Sequence, residues 1–204
     1  MISIDPNMQT ERENYKLLIG SIIPRPIAFV TSLSAEGQGV LNAAPFSYFN
    51  IVSSKPPMIS LAIQRINGVS KHTAANIKQN KEFVIHIVDD GIVEQVNATA
   101  ANLPQDVSEL DLTTFQLAKS NRISVPGIKE AKIRMECVLE QIVELGEGDH
   151  IQTDLIIGKV VQFHILDTIY KEGKIDSDQL GAVSRLAGNN YAKIGSIFTI
   201  ERPQ

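Results

Sequence analysis

A chain of 204 residues, 43% hydrophobic and 21% charged, has an ordinary globular balance and enough length for one domain with a sizeable core. Its net charge of −4 arises from interleaved acids and bases, without the basic run that a duplex-binding surface needs, which argues against a nucleic-acid partner. The single cysteine, Cys137, rules out an intramolecular disulfide framework; no secretory h-region opens the chain and no apolar run approaches about 20 residues, so a soluble cytoplasmic protein without a membrane partner is the expectation.

Thr10-Glu11-Arg12-Glu13 fits a capping box and precedes YKLLIG, which predicts a short N-terminal helix. PIAFVTSL (Pro26–Leu33) is rich in β-branched and aromatic residues and reads as a strand. SAEGQG (Ser34–Gly39) has turn residues, and VLNAAPFSYFN resumes extended character, so the two runs form a hairpin with a loop longer than two residues. Pro56-Pro57 punctuates before the strand MISLAI. Ser70–Asn80 is polar, with Ala74, Ala75 and Ile77 at helical spacing. FVIHIV (Phe83–Val88) is a further strand, and Gly91–Asn102 a second helix candidate.

Leu103–Gly127 is irregular and reads as an excursion packed on the body of the domain. Ile133–Leu145 and Ile151–Leu166 are two long β-type runs joined by Gly146-Glu147-Gly148-Asp149-His150. Cys137 falls in an alternating run, as a small hydrophobe of a strand. Strand clusters with a few inserted helices predict a mainly β fold, a barrel with peripheral helices, in a single domain over 1–204.

Several chemistries are absent from the pattern. His72, His86, His150 and His164 show no metal-ligand spacing, there is no CxxC or HExxH, and no G-x-S-x-G elbow. Gly37-Gln38-Gly39-Val40-Leu41-Asn42 begins like a dinucleotide fingerprint but lacks its third glycine, and a strand follows it, so it reads as a hairpin turn.

Three clusters remain: PRPIAFVTS (Pro24–Ser32), NAAPFSYFN (Asn42–Asn50) and KHTAANI (Lys71–Ile77). Together they resemble the flavin reductase-like, FMN-binding split-barrel family, which includes reductase components of two-component monooxygenases and flavoredoxin-type proteins. The resemblance runs from about Gly20 to about Tyr191. It implies an antiparallel six-stranded Greek-key split β-barrel with peripheral helices, working as a homodimer with the flavin near the subunit interface. It also implies FMN as cofactor, NADH or NADPH as electron donor, and a monooxygenase or other redox partner. The implied activity is hydride transfer from reduced nicotinamide to FMN; the alternatives are a flavoredoxin-like electron carrier and a non-catalytic flavin-binding protein.

The same resemblance assigns residues. Arg25, Thr31, Ser32, Ser47, Lys71 and Thr73 are expected at the phosphate and ribityl end, where an anion favours cations, hydroxyls and the N-terminus of a helix. Asn42, Ala44, Pro45, Phe46 and Asn50 are expected at the flavin ring, with core packing as the alternative role for the aromatic residues. In the family pattern an Asp often stands where this chain has His72. Arg185 and Tyr191 match a family R-x-x-G-x-x-Y segment near the flavin. Gly148-Asp149-His150 matches a GDH motif associated with the nicotinamide, which makes His150 the nearest candidate for a catalytic residue; the plain alternative is a histidine capping a hairpin end.

Overall fold

The computed structural model describes residues 1–34 and 39–203. Of the turn expected at Ser34–Gly39, residues 35–38 lie outside the described residues, as do Gly37 and Gln38 of the G-x-G fragment.

Helix α1 (Glu11–Ser21) starts at the capping box its sequence predicts. Thr10 Oγ1 accepts the Glu13 N–H at 3.3 Å, and the Glu13 carboxylate accepts the Thr10 N–H at 2.8 Å. There follow β1 (Arg25–Pro26), β2 (Ala28–Leu33), β3 (Leu41–Phe46), β4 (Phe49–Ser54) and β5 (Pro57–Gln64). Next come α2 (His72–Asn80), β6 (Glu82–Ile87) and α3 (Val93–Ala98), shorter than the Gly91–Asn102 expected. The excursion carries a 3₁₀ turn (Glu109–Leu112) and the ribbon of β7 (Leu117–Ala118) with β8 (Gly127–Ile128). The long pair is β9 (Ile133–Glu147) and β10 (His150–Ile165), whose tip is the two-residue turn Gly148-Asp149. Then come β11 (Tyr170–Lys171), β12 (Lys174–Ile175), α4 (Ser177–Leu180), β13 (Val183–Arg185) and β14 (Tyr191–Lys193).

The principal sheet is antiparallel throughout, in the order β3-β2-β6-β9-β10-β5-β4. It has seven strands, where six were expected. The extra one arises because the extended run after Gly39 breaks at Ser47-Tyr48, and its halves lie on opposite edges of the sheet. Edges joined by two residues cannot lie far apart, so the sheet curls into the expected split barrel.

Alternation sets the two faces of the barrel. Inward go Ala28 and Val30 of β2, Ile59, Leu61 and Ile63 of β5, Phe83 and Ile85 of β6, Met135 and Cys137 of β9, and Ile156 and Val160 of β10; α2 closes over them with Ala74 and Ile77. Burial drives the Cys137 thiol pKa up, which suits a small hydrophobe. On the outer face Phe29, Ala43 and Val88 pack against Ile92 and Val96 around α3 and against Ile128 of the excursion. Strands β2 and β6 are therefore covered on both sides, which accounts for their near-continuous apolar runs.

Gly158 lies hard against the interior. A Cβ there would collide with the Phe83 ring, which is fully buried. Gly158→Ala is expected to cost about 1–3 kcal/mol through overpacking, read as a lower urea midpoint at unchanged m-value. Among the described residues, no helix is long and apolar enough to cross a membrane.

Candidate functional site

The N-terminus of α2 opens onto a cleft lined by Lys71, His72 and Thr73. Lys71 is its N-cap residue, and no side chain caps the first turn. The leading N–H groups of a helix lack intrahelical partners and carry partial positive charge, so an anion is favoured there. Lys71 adds a full charge, with its Nζ 5.9 Å from the centre of the Phe46 ring.

The loop that presents Lys71 is held from below. Arg65 grips Asp154 of β10 with two bonds, Nε at 3.0 Å and one terminal nitrogen at 2.6 Å, and Ser70 Oγ donates to the same carboxylate at 2.8 Å. Burial pushes the Asp154 carboxyl up, but Arg65 and Ser70 outweigh it and hold the group below the usual carboxylate range.

Two clefts meet at Pro45, Phe46, Lys71 and Ala100. One, of about 460 Å³, runs past Asn42, Ala44, Thr73 and Glu109. The other, of about 410 Å³, runs past Arg25, Ser47, Tyr48 and Gln64 to Arg185 and Tyr191. Both fall within the range of small-molecule sites, about 300–1,000 Å³. The shared wall of Pro45 and Phe46 is flat and apolar, and the far ends are polar.

Beneath the first cleft lies a buried polar network. Both Glu109 carboxylate oxygens accept from Asn42 Nδ2 at 2.8 Å, and one also accepts the Ala43 N–H at 3.0 Å. The Asn42 amide oxygen therefore faces the other way and accepts the Thr73 hydroxyl at 2.6 Å and the Ser32 hydroxyl at 3.4 Å. Asn76 Nδ2 donates to Ser32 Oγ at 3.3 Å. The Thr73 hydroxyl proton thus points into the protein, and Lys71 and the backbone N–H groups remain as the donors for an anion. Glu109→Gln turns an amide N–H₂ toward the Asn42 N–H₂. It is expected to cost about 1–2 kcal/mol, seen as a lower thermal midpoint.

The structure brings together Arg25, Ala44, Pro45, Phe46, Ser47, Lys71, Thr73, Asn42, Arg185 and Tyr191 along the two joined clefts. Arg25 is also a tie in the fold: its guanidinium donates to the carbonyls of Ile19, Ile22 and Leu186 at 2.6–2.9 Å. Arg185 and Tyr191 face each other across the β13–β14 hairpin, with the guanidinium 4.4 Å from the ring centre, and Tyr191 OH donates to Asn97 at 2.8 Å. The R-x-x-G-x-x-Y spacing is thus that of a hairpin whose Gly188 takes φ +61.

Four expected residues lie elsewhere. Thr31 and Ser32 are fully buried and line neither cleft. They point to opposite faces of β2, Thr31 Oγ1 donating to the Pro126 carbonyl at 2.8 Å and Ser32 joining the network above. Asn50 sits on edge strand β4, its Oδ1 accepting the Ile51 N–H, and lines a neighbouring cleft under α1. His150 is exposed beside the tip of the β9–β10 hairpin and lines none of these clefts. Sequence reasoning passed over Glu109, which reaches Asn42 from the excursion, and Tyr15, Gln64 and Asn97, which line the second cleft. No local motif announces these four.

The flavin reductase like domain model matches residues 19–178. The chain belongs to the flavin reductase-like family. The crystal structure of nitrilotriacetate monooxygenase component B from Bacillus cereus is 53% identical, covers 98% of both chains and superposes with a TM-score of 0.95. The protein YwrF of Bacillus subtilis (strain 168) is 50% identical over 195 residues, 94% of each chain. The 2-nitrobenzoate 2-nitroreductase NbaA of Pseudomonas fluorescens is 30% identical with a TM-score of 0.88, covering 99% of this chain and 96% of that one.

Proposed function

We propose that the protein is an NAD(P)H:flavin oxidoreductase that binds FMN, works as a cytoplasmic homodimer and supplies reduced flavin to a partner monooxygenase. The observation that carries this reading is the uncapped start of α2 beside Lys71, opening onto the Pro45-Phe46 wall of two joined clefts. That donor set fits a phosphate, and a flat apolar wall beside it fits an aromatic ring system. Likeness to a monooxygenase component B supports the monooxygenase partner.

The flavin, when bound, supplies the two-electron chemistry. The chain's own residues bind and orient. Lys71 and the α2 N–H groups offset the phosphate charge. Pro45 and Phe46 exclude water from one side of the ring. Arg185, braced by Tyr191 and the Gly188 carbonyl, places a cation at the far end of the cleft. Ile197, Phe198 and Ile200 are exposed by 64–79% and give a second copy apolar surface to cover.

The test is a flavin titration of purified apoprotein, followed by anaerobic mixing with NADH and with NADPH. The expected result is saturable FMN binding and rapid bleaching of the visible flavin band by one or both nucleotides. Absence of flavin binding under all conditions refutes the proposal. Bleaching only by a reduced protein donor replaces it with the electron-carrier reading.

A further inference from the structure

Beside α2 lies a cluster of charged residues, Arg65, Lys78, Glu144 and Asp154, none of which lines any of the clefts. Asp154 sits on β10, opposite Ile63 of β5 and Glu144 of β9, and is 2% exposed. Its Oδ1 accepts from one terminal nitrogen of Arg65, and its Oδ2 accepts from Arg65 Nε and Ser70 Oγ. The same Arg65 nitrogen reaches Glu144 at 3.0 Å, and Glu144 accepts from Lys78 Nζ at 2.7 Å. Helix α2 is thus tied to the β9–β10 pair at Lys78 in its last turn and at Ser70 just before its N-cap.

The segment from Arg65 to Ser70 is framed along its length. The Arg65 N–H donates to the Gln152 carbonyl at 2.7 Å. Ile66 and Val69 exchange both backbone bonds, at 3.0 and 2.9 Å, and close a turn in which Asn67 and Gly68 take φ +51 and +77. Ser70 is then bonded to Asp154, and Lys71 follows with the first helical bond, from the Ala75 N–H to its carbonyl at 3.0 Å. Stability alone is a poor reason to bury such a cluster, because the cost of taking two charges out of water cancels much of their attraction. Bidentate geometry supplies direction instead. The planar fork of Arg65 fixes the orientation of the carboxylate to which Ser70 is also bonded.

We propose that Asp154, oriented by Arg65, is a positioning residue for the phosphate end of the flavin site and sets its preference for a phosphorylated flavin over a dephosphorylated one. It holds the backbone of Ser70 and Lys71 so that the Lys71 ammonium and the leading N–H groups of α2 converge on one anion. Donors held in place before the ligand arrives need no ordering when it binds. This rests on the proposed phosphate position at the start of α2. The sign of the effect separates position from charge. A carboxylate near an anion site repels the anion, so electrostatics alone predicts that Asp154→Asn, which removes that charge and leaves Arg65 a freer cation, tightens FMN binding. Positioning predicts the reverse. Either orientation of the new amide sets an N–H₂ against an Arg65 N–H, and the frame under Ser70 and Lys71 loosens.

The experiment uses the full chain. FMN and riboflavin are titrated by fluorescence quenching into the wild type, Asp154→Asn, Arg65→Lys, Ser70→Ala and Ser70→Thr, with hydrogen exchange of residues 65–75 followed in parallel. Asp154→Asn and Arg65→Lys are each expected to weaken FMN about 10-fold and riboflavin by less than about twofold. Arg65→Lys keeps every charge and loses only the fork, so its effect is not Coulombic. Ser70→Ala is expected to weaken FMN about threefold, and Ser70→Thr, which keeps the hydroxyl, to restore it. Exchange in residues 65–75 is expected to quicken while that of β2 and β6 holds. Unchanged or tighter FMN binding in Asp154→Asn overturns the proposal. So do equal losses for FMN and riboflavin, which mark general damage to the cleft, and so does a wild type that binds both flavins equally. If Asp154→Asn does not fold, Arg65→Lys and Ser70→Ala decide by the same criteria. Failure of the wild type to bind any flavin refutes the proposed function instead.

Discussion

Lys71→Ala is expected to weaken FMN binding about 10-fold, and Lys71→Glu about 100-fold, while riboflavin binding stays within about twofold in both. A charge-assisted hydrogen bond contributes about 1.5–3 kcal/mol, and solvent exposure of Lys71 puts the alanine change at the lower end. Reversal adds repulsion at a helix terminus that carries partial positive charge but no side-chain cap. Riboflavin lacks the phosphate, so it separates loss of the anion contact from damage to the cleft. The measurement is a pair of fluorescence-quenching titrations for each variant, repeated at low and high salt. Equal losses for FMN and riboflavin would move the phosphate away from α2.

Acidification is expected to remove about 3 kcal/mol of stability between pH 7 and pH 4 through His86 alone. The ring is fully buried, and burial drives its pKa down from 6.5 to about 4, helped by Arg134 and opposed by the Phe29 carbonyl. Its Nε2 accepts the Ile128 N–H at 2.8 Å, so Nδ1 carries the proton and faces the Phe29 carbonyl at 2.9 Å. Protonating Nε2 would break the Ile128 bond. Above pH 6.5 neither folded nor unfolded chain holds the extra proton, and the full stability is present. As pH falls below 6.5 the unfolded chain takes a proton that the folded one refuses, and the loss is complete once pH passes about 4. Urea midpoints at half-unit steps should decline through this window, and the His86 ring resonances should stay unshifted until pH nears 4. Early titration of that ring would sink the expectation.

Local patterns carried much of the fold. The capping box at Thr10–Glu13, the long extended runs of β9 and β10, and the two-sided burial of β2 and β6 follow from short-range residue order. The break at Ser47-Tyr48 was not legible, because polar and aromatic residues continue an extended pattern and only closure of the barrel forces a corner there. The site divides in the same way. Lys71 and the NAAPF run sit where a helix start and a strand end put them. Glu109 meets Asn42 across 67 positions and from an irregular segment, so no window of sequence contains both. Thr31 and Ser32 look alike in sequence and diverge in space, since one residue of strand is half a turn of the side-chain pattern. The motif containing His150 says nothing about which cleft, if any, the hairpin tip approaches.

The order of strands also sets a timetable for synthesis. Strand β5 leaves the ribosome early, yet one of its two neighbours is β10, where Ser60 meets Ile157. At about 5–20 residues per second, about a hundred further residues take about 5–20 s to appear. Through that interval Ile59, Leu61 and Ile63 have β4 as their one paired strand, and the part of their interior that β9 and β10 supply, Met135, Cys137, Ile156 and Val160, is missing. The nascent chain is therefore a client for hydrophobic-binding chaperones until the β9–β10 hairpin arrives, and slow translation upstream of residue 150 lengthens its exposure.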